Sequence, residues 1–281
     1  MSSAPIQPAN SMKVFNCNAV TLIDAATLYH TPDTFLDVRA SATLSRMTNA
    51  DIRLKRFAGM AELAPALAAD VAQTLARAIA ARGSASLIVS GGKTPAKFFE
   101  QLSAQPIEWR RVCVALADER WVEPSDPASN ERMVRETLLK DRAAEARFAG
   151  LKNAAPSPDL GAVSAWETFA RIPRPFDVTM LGMGDDGHTA SLFPRSPNLP
   201  MALNPAAAAG CVGMWAPTAP QARLSLNLSA LLDSRRMLIL MEGKAKLATF
   251  EAASGDGAVE EMPVRAVLRR SRVPVEVVWA P

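Results

Sequence analysis

Hydrophobic positions along this chain follow two different periods. From 61 to 82, AELAPALAADVAQTLARAIAAR sets Leu63, Leu67, Val71, Leu75 and Ile79 four apart, which predicts an amphipathic helix. Pro65 is expected in its first turn, where a missing N–H costs little, and Gly83 is placed to end it. Elsewhere the apolar stretches are short and unbroken: ASLIVS at 85–90, RVCVALA at 111–117, DVTMLGM at 177–183, RMLILME at 236–242 and VEVVW at 275–279. Such runs suit strands buried on both faces. Between them, PAKFFEQLSA at 95–104, SNERMVRETLLK at 129–140 with Ser129 as cap, AWETFARI at 165–172 and KAKLATFEAAS at 244–254 read as helices. GCVGMWA and RLSLNLS are strand-like and suited to lie side by side. Strands alternating with helices predict an α/β fold with a mainly parallel sheet, covered on two sides. No internal repeat and no long linker follows residue 55, so a single domain is expected over 53–281. Residues 1–52 mix Ser, Thr, Asn, Pro and Asp without sustained periodicity, which predicts a poorly ordered N-terminal extension, with Met12 and Met47 as alternative starts.

Composition narrows the function classes. The 281 residues are 49% hydrophobic and 21% charged, ordinary for a globular protein with a sizeable core. A net charge of +3 without any Lys/Arg block argues against a nucleic-acid scaffold and leaves room for a local cationic pocket. The cysteines, Cys17, Cys113 and Cys211, are odd in number and far apart. They fit neither a disulfide framework nor a zinc pattern, so a reducing, cytoplasmic setting is expected. Cys113 reads as a buried strand residue. No apolar run is long enough to span a bilayer, and the N-terminus has no clean apolar stretch of the signal-peptide kind.

The candidate chemistry gathers at the carboxyl ends of the predicted strands, where open α/β sheets place their ligand crevice. LGMGDDGHTASLFP, 181–194, puts a Gly-rich turn, two carboxylates and a histidine directly after a strand. The chain has two histidines, and the other, His30, lies in the unpatterned extension. His188 is therefore the candidate general base. Asp186 is the better partner to fix its tautomer and Asp185 the lesser; the bland alternative is a histidine capping a short helix. In SGGKTP, 90–95, Gly91 and Gly92 permit close backbone approach, Lys93 adds a charge, and Thr94 stands as N-cap before Pro95. That turn is equally an anion site or a plain strand–helix connection. Its spacing is not that of a Walker loop. In ADERWVEPSDPASN, Asp118, Glu119 and Arg120 crowd a strand end; Arg120 can fork onto a phosphate or pair internally, and Trp121 reads as loop packing. No G-x-S-x-G elbow, activated thiol or metal-ligand set appears, so no metal is expected.

Taken in order, SGG-x-TP, DERW-V-x-x-x-D-x-x-SN and LGMG-x-DGHTASLFP resemble the 6-phosphogluconolactonases of the glucosamine-6-phosphate isomerase/6-phosphogluconolactonase family. The R-L-S-L stretch at Arg223 and G-x-x-K at Gly243–Lys246 agree, and the resemblance runs from about residue 53 to the end. It implies a Rossmann-like three-layer α/β sandwich. It also implies hydrolysis of 6-phospho-D-glucono-1,5-lactone to 6-phospho-D-gluconate, the second step of the oxidative pentose phosphate pathway, without cofactor. By the same resemblance His188 activates water and Asp186 orients it. The turn Gly91, Gly92, Lys93 and Thr94, with Arg120, holds the 6-phosphate; Arg223 and Lys246 supply further cationic contacts to phosphate or oxyanion. Asn130 shapes the pocket, and Asp118 matches a proton-transfer position of the related deaminases. Lys93 departs from the family's small hydroxyl residue after the glycines. The partner expected is a small sugar-phosphate lactone, with no nucleic acid and no membrane. Two alternatives remain. An amino-sugar-phosphate isomerase/deaminase would carry a glutamate five residues after the histidine, where this chain has Phe193. A sugar-phosphate-sensing effector domain would need an N-terminal DNA-binding helix pair, for which residues 1–55 show no pattern.

Overall fold

A computed structural model describes residues 52–216 and 221–281; the expected extension therefore lies outside the described residues, apart from Ile52. The chain opens with β1 (Ile52–Arg56), α1 (Met60–Arg82), β2 (Ala85–Val89), α2 (Thr94–Ser103), β3 (Val112–Leu116) and β4 (Asp118–Arg120). It continues through α3 (Asn130–Thr137), β5 (Arg147–Ala149), α4 (Pro158–Phe169), β6 (Val178–Leu181) and α5 (Leu199–Ala202). Then come β7 (Cys211–Trp215), β8 (Ala222–Leu226), α6 (Leu228–Leu232), β9 (Met237–Glu242), α7 (Lys244–Ser254), α8 (Val264–Arg270) and β10 (Val275–Ala280).

Seven strands form one parallel sheet in the order β1-β10-β9-β6-β2-β3-β5. Every residue of β2, β3 and β6 is buried, as it must be where helices cover both faces of a sheet. This is the mainly parallel, two-side-covered α/β sheet that the apolar runs predict, and the Rossmann-like sandwich that the family resemblance implies. The outer strands β1 and β5 carry exposed Arg53, Lys55, Arg56 and Arg147, charges that discourage edge-to-edge pairing. A second, antiparallel sheet of order β4-β8-β7 grows from the first, and the two strand-like segments expected side by side are its β7 and β8. Ala117 links the sheets: its N–H donates to Val89 and its carbonyl accepts from Leu226.

Several boundaries differ from the sequence pattern. Pro65 sits inside α1, beyond the first turn, so the helix gives up one backbone bond there. Gly83 ends α1 at φ 78 as expected. Thr94 is the first helical residue of α2; Lys93 takes the cap position and makes no side-chain cap bond. The third helix stops at Thr137. The fourth starts at Pro158 under a Ser157 cap rather than at 165, and Gly161 within it is required by packing. A Cβ there would lie 2.3 Å from Trp121, so the indole packs against α4 as loop packing predicts. Cys113 is buried in β3, and burial pushes its thiol upward, as it does that of Cys211 to about 12.

At the amino ends of the strands, a partly buried ion-pair cluster ties α1 to the sheet. Arg236 binds Glu276 at 2.8 Å and Asp70 at 2.6 Å, and Lys55 binds Glu276 at 2.8 Å. Among the described residues no helix is long and apolar enough to cross a membrane.

Candidate active site

The carboxyl ends of β2, β3, β6 and β9 open into a cavity of about 400 Å³. All the candidate side chains and turn residues meet on its wall: Gly91, Gly92, Lys93 and Thr94 after β2, and Asp118, Arg120 and Asn130 beyond β3. Asp186 and His188 follow β6, Arg223 comes from β8 and Lys246 from α7. Segments up to 155 residues apart in sequence therefore converge because the sheet is parallel and every connection returns to the same edge.

The histidine loop is built around its glycines. The Gly184 N–H donates to the His188 carbonyl at 2.8 Å, and Gly187 turns the chain at φ 77. A Cβ on Gly184 would lie 2.1 Å from the imidazole, so the ring packs directly on bare backbone. Asp186 Oδ1 lies 2.5 Å from His188 Nδ1 and also accepts the His188 backbone N–H at 3.1 Å. Burial opposes ionisation of Asp186, but these bonds and the nearby imidazole more than offset it and hold its carboxyl below the usual range. With Nδ1 engaged by a carboxylate, the chemistry of the pair leaves Nε2 as the free acceptor. Asp185, the lesser candidate, faces away and binds Lys246 Nζ at 2.8 Å.

On the opposite wall, the short strand β4 explains which acidic residue does what. Successive side chains alternate in a strand. Asp118 and Arg120 line the cavity, and Glu119 between them is fully buried on the other side. Glu119 Oε1 accepts the backbone N–H groups of Arg120 and Asn130, each at 2.7 Å. Its Oε2 accepts the Glu131 N–H at 2.7 Å and the Ser129 hydroxyl at 3.0 Å. Burial pushes its carboxyl up, opposed by these four donors. Glu119 thus pins the start of α3 to β4 and sets Arg120 and Asn130 in place. Asn130 Nδ2 donates to the Asp118 carbonyl at 2.8 Å, and its amide fills the space where a Gly91 side chain would begin, 1.9 Å from that Cβ. Ser191 donates to Asp118 Oδ2 at 2.6 Å.

Polar atoms without partners mark where a ligand would bind. Ser90 Oγ, Arg120 Nε and Asn130 Oδ1 are buried and unpartnered, and all three residues line the cavity. Buried polar groups are seldom left this way without a ligand or water to meet them. Arg120 Nη1 is held by the Ala128 carbonyl, which aims the guanidinium. Arg223 is 9% exposed; burial and the nearby Arg120 weaken its hold on its proton, while Asp118 and Glu119 strengthen it. Lys93 stands exposed on the rim. Sequence reasoning missed Ser90 and Glu242, and it set Glu119 at the strand end without a role. Glu242 ends β9 and also lines the cavity, near Lys97 at 3.8 Å. Reading DER as a strand would have turned Glu119 inward; nothing comparable marks Ser90 or Glu242. Among the described residues no group of three His, Cys, Asp or Glu side chains is arranged to hold a metal.

Fold and crevice together define an α/β enzyme class in which a histidine–carboxylate pair faces a set of cationic side chains across a sheet edge. The family model for glucosamine-6-phosphate isomerases/6-phosphogluconolactonase matches residues 58–279, and the chain belongs to this family. A Pseudomonas aeruginosa protein named 6-phosphogluconolactonase is 45% identical over 232 residues, 83% of this chain and 96% of the relative. A Rhizobium meliloti protein of the same name is 46% identical over 80% of this chain and 97% of its own length. The crystal structure of a 6-phosphogluconolactonase from Shewanella baltica superposes with a TM-score of 0.79 at 46% identity, covering 82% of this chain and 98% of that one. A monomeric glucosamine-6-phosphate deaminase shares the fold at 18% identity and a TM-score of 0.66.

Proposed function

We propose that the protein hydrolyses 6-phospho-D-glucono-1,5-lactone to 6-phospho-D-gluconate, the second step of the oxidative pentose phosphate pathway. The names of the similar proteins supply the substrate. The observation that carries the mechanism is the His188–Asp186 contact of 2.5 Å, in the same cavity as the unpartnered donors of Ser90 and Arg120.

In this reading the phosphate takes the donors of Ser90, Arg120 and the 91–94 turn, with Lys93 at the rim. That anchor orients the lactone, which converts remote binding into alignment of the reacting carbonyl. Asp186 keeps the proton on Nδ1, so Nε2 of His188 accepts a proton from water as its oxygen adds to C1. The carbonyl electron pair moves onto oxygen, where Arg223 and Lys246 stabilise the charge. As the tetrahedral species collapses, the C1–O5 bond breaks and the imidazolium returns its proton to O5. The new carboxylic acid loses its own proton to solvent. No cofactor enters any step.

The deaminase alternative asks for a carboxylate where Phe193 stands, and its ring lies 4.4 Å from the imidazole. The site therefore favours lactone hydrolysis. The test generates the lactone from glucose-6-phosphate with its NADP-dependent dehydrogenase and follows its loss through 6-phosphogluconate dehydrogenase. Hydrolysis faster than the spontaneous rate supports the reading. No acceleration by folded protein refutes it, and turnover of glucosamine-6-phosphate would install the alternative.

A further inference from the structure

Among the described residues, one side-chain hydrogen bond holds the His188 ring. Its Nδ1 is bound by Asp186, and the ring packs against the bare backbone of Gly184. Phe193 packs against the same ring. Its ring centroid lies 4.4 Å from that of His188, tilted by 46°, at the near limit of ordinary aromatic pairs.

The same ring has a second neighbour. The guanidinium carbon of Arg223 lies 5.7 Å from the Phe193 centroid, inside the usual cation–π range of about 6 Å. Arg223 makes no carboxylate pair among the described residues, and its Nε reaches only the Gln221 carbonyl at 3.4 Å. A desolvated guanidinium short of partners gains from a π face. Phe193 is itself 8% exposed and lines the cavity. One ring thus touches both the base and a cation.

We propose that Phe193 is a positioning residue of the reaction: its ring sets the orientation of His188 and screens the imidazolium from Arg223 after proton transfer. This rests on the reading of His188 as the base. The two cationic groups must coexist for the lifetime of the tetrahedral species, one holding a proton and the other facing developing negative charge. A ring that offers π density to both lowers their mutual cost, whereas an aliphatic side chain of equal bulk fills the space and offers none.

The test compares Phe193→Leu and Phe193→Met, which fill the site without a ring, with Phe193→Tyr, which keeps one. Two ringless variants are used because Met adapts to gaps where Leu does not. Wild-type lactonase activity, measured alongside, separates this inference from the reading beneath it. The ringless variants should lose about tenfold in kcat/KM, mostly in kcat, and Tyr should restore it. Ringless variants with wild-type kcat would overturn the proposal, as would a Tyr variant as slow as the Leu one. An inactive wild type would instead strike the lactonase reading.

Discussion

Replacing Glu119 by Gln should unsettle the cation side of the cavity without touching the base. Glu119 is fully buried, and each of its oxygens accepts at least one backbone N–H at 2.7 Å: Arg120 and Asn130 on Oε1, Glu131 on Oε2. Whichever end of the glutamine carries its NH₂, a backbone donor must face another donor. A hydrogen bond to a charged group contributes about 1.5–3 kcal/mol, and a buried donor left unpaired costs about 1–3 kcal/mol. Relief from burying a charge offsets part of this, since burial already pushes the carboxyl up. A net loss of about 2–4 kcal/mol is expected, which for a domain of this size lowers the melting temperature by roughly 5–15 °C. Arg120 and Asn130 sit at the strand and helix ends that Glu119 joins, so KM for the lactone should rise severalfold while kcat falls less. A thermal melt and steady-state kinetics measure both. A melting temperature within about 2 °C of wild type, together with unchanged KM, would refute the argument that Glu119 builds this wall from behind.

Three further outcomes are expected. Asp186→Asn keeps the shape but frees the imidazole tautomer, so kcat should fall by about tenfold to a hundredfold with little change in melting; an unchanged kcat would remove Asp186 from the mechanism. Arg120→Ala and Lys246→Ala each remove a cavity cation, so KM should rise by about tenfold or more; a pure loss of kcat would move that residue from binding to chemistry. Glu276→Gln tests the clamp at the amino ends of the strands. Burial opposes ionisation of Glu276, but Arg236 and Lys55 more than offset it and hold its carboxyl below 4.5. A depressed carboxyl contributes stability that is present above its unfolded value and lost as pH falls through the folded one. The variant should therefore melt earlier than wild type near neutral pH, and the gap should close below pH 4.5. A gap that persists or widens in acid would contradict the sign.

Much of this architecture was legible because burial on both faces leaves a direct trace: β2, β3, β6 and β9 are almost wholly apolar, and β10 is interrupted only by Glu276. The strands that left no trace are those shaped by neighbours. β1 alternates at an edge, β5 spans only Arg147–Ala149, and β4 is three polar residues whose pairing with β8 has no local signal. Gly161 is likewise set by a neighbour, since its smallness serves Trp121 in another element. The candidate site was legible as a set of motifs, and the cavity gathers every one of its residues. What the motifs could not convey was direction. Asp185 and Asp186 are adjacent and chemically alike, yet one meets Lys246 and the other His188, a difference made by the turn at Gly187. Likewise Glu119 looks like a site carboxylate, and the alternation of β4 turns it away from the cavity.

The central claim is that His188 supplies the base for lactone hydrolysis. The most direct measurement is kcat/KM of His188→Ala against wild type in the coupled lactone assay, with melting curves of both. The account predicts a fall of about a hundredfold to ten-thousandfold with the fold intact. A folded variant that hydrolyses the lactone at the wild-type rate would contradict it.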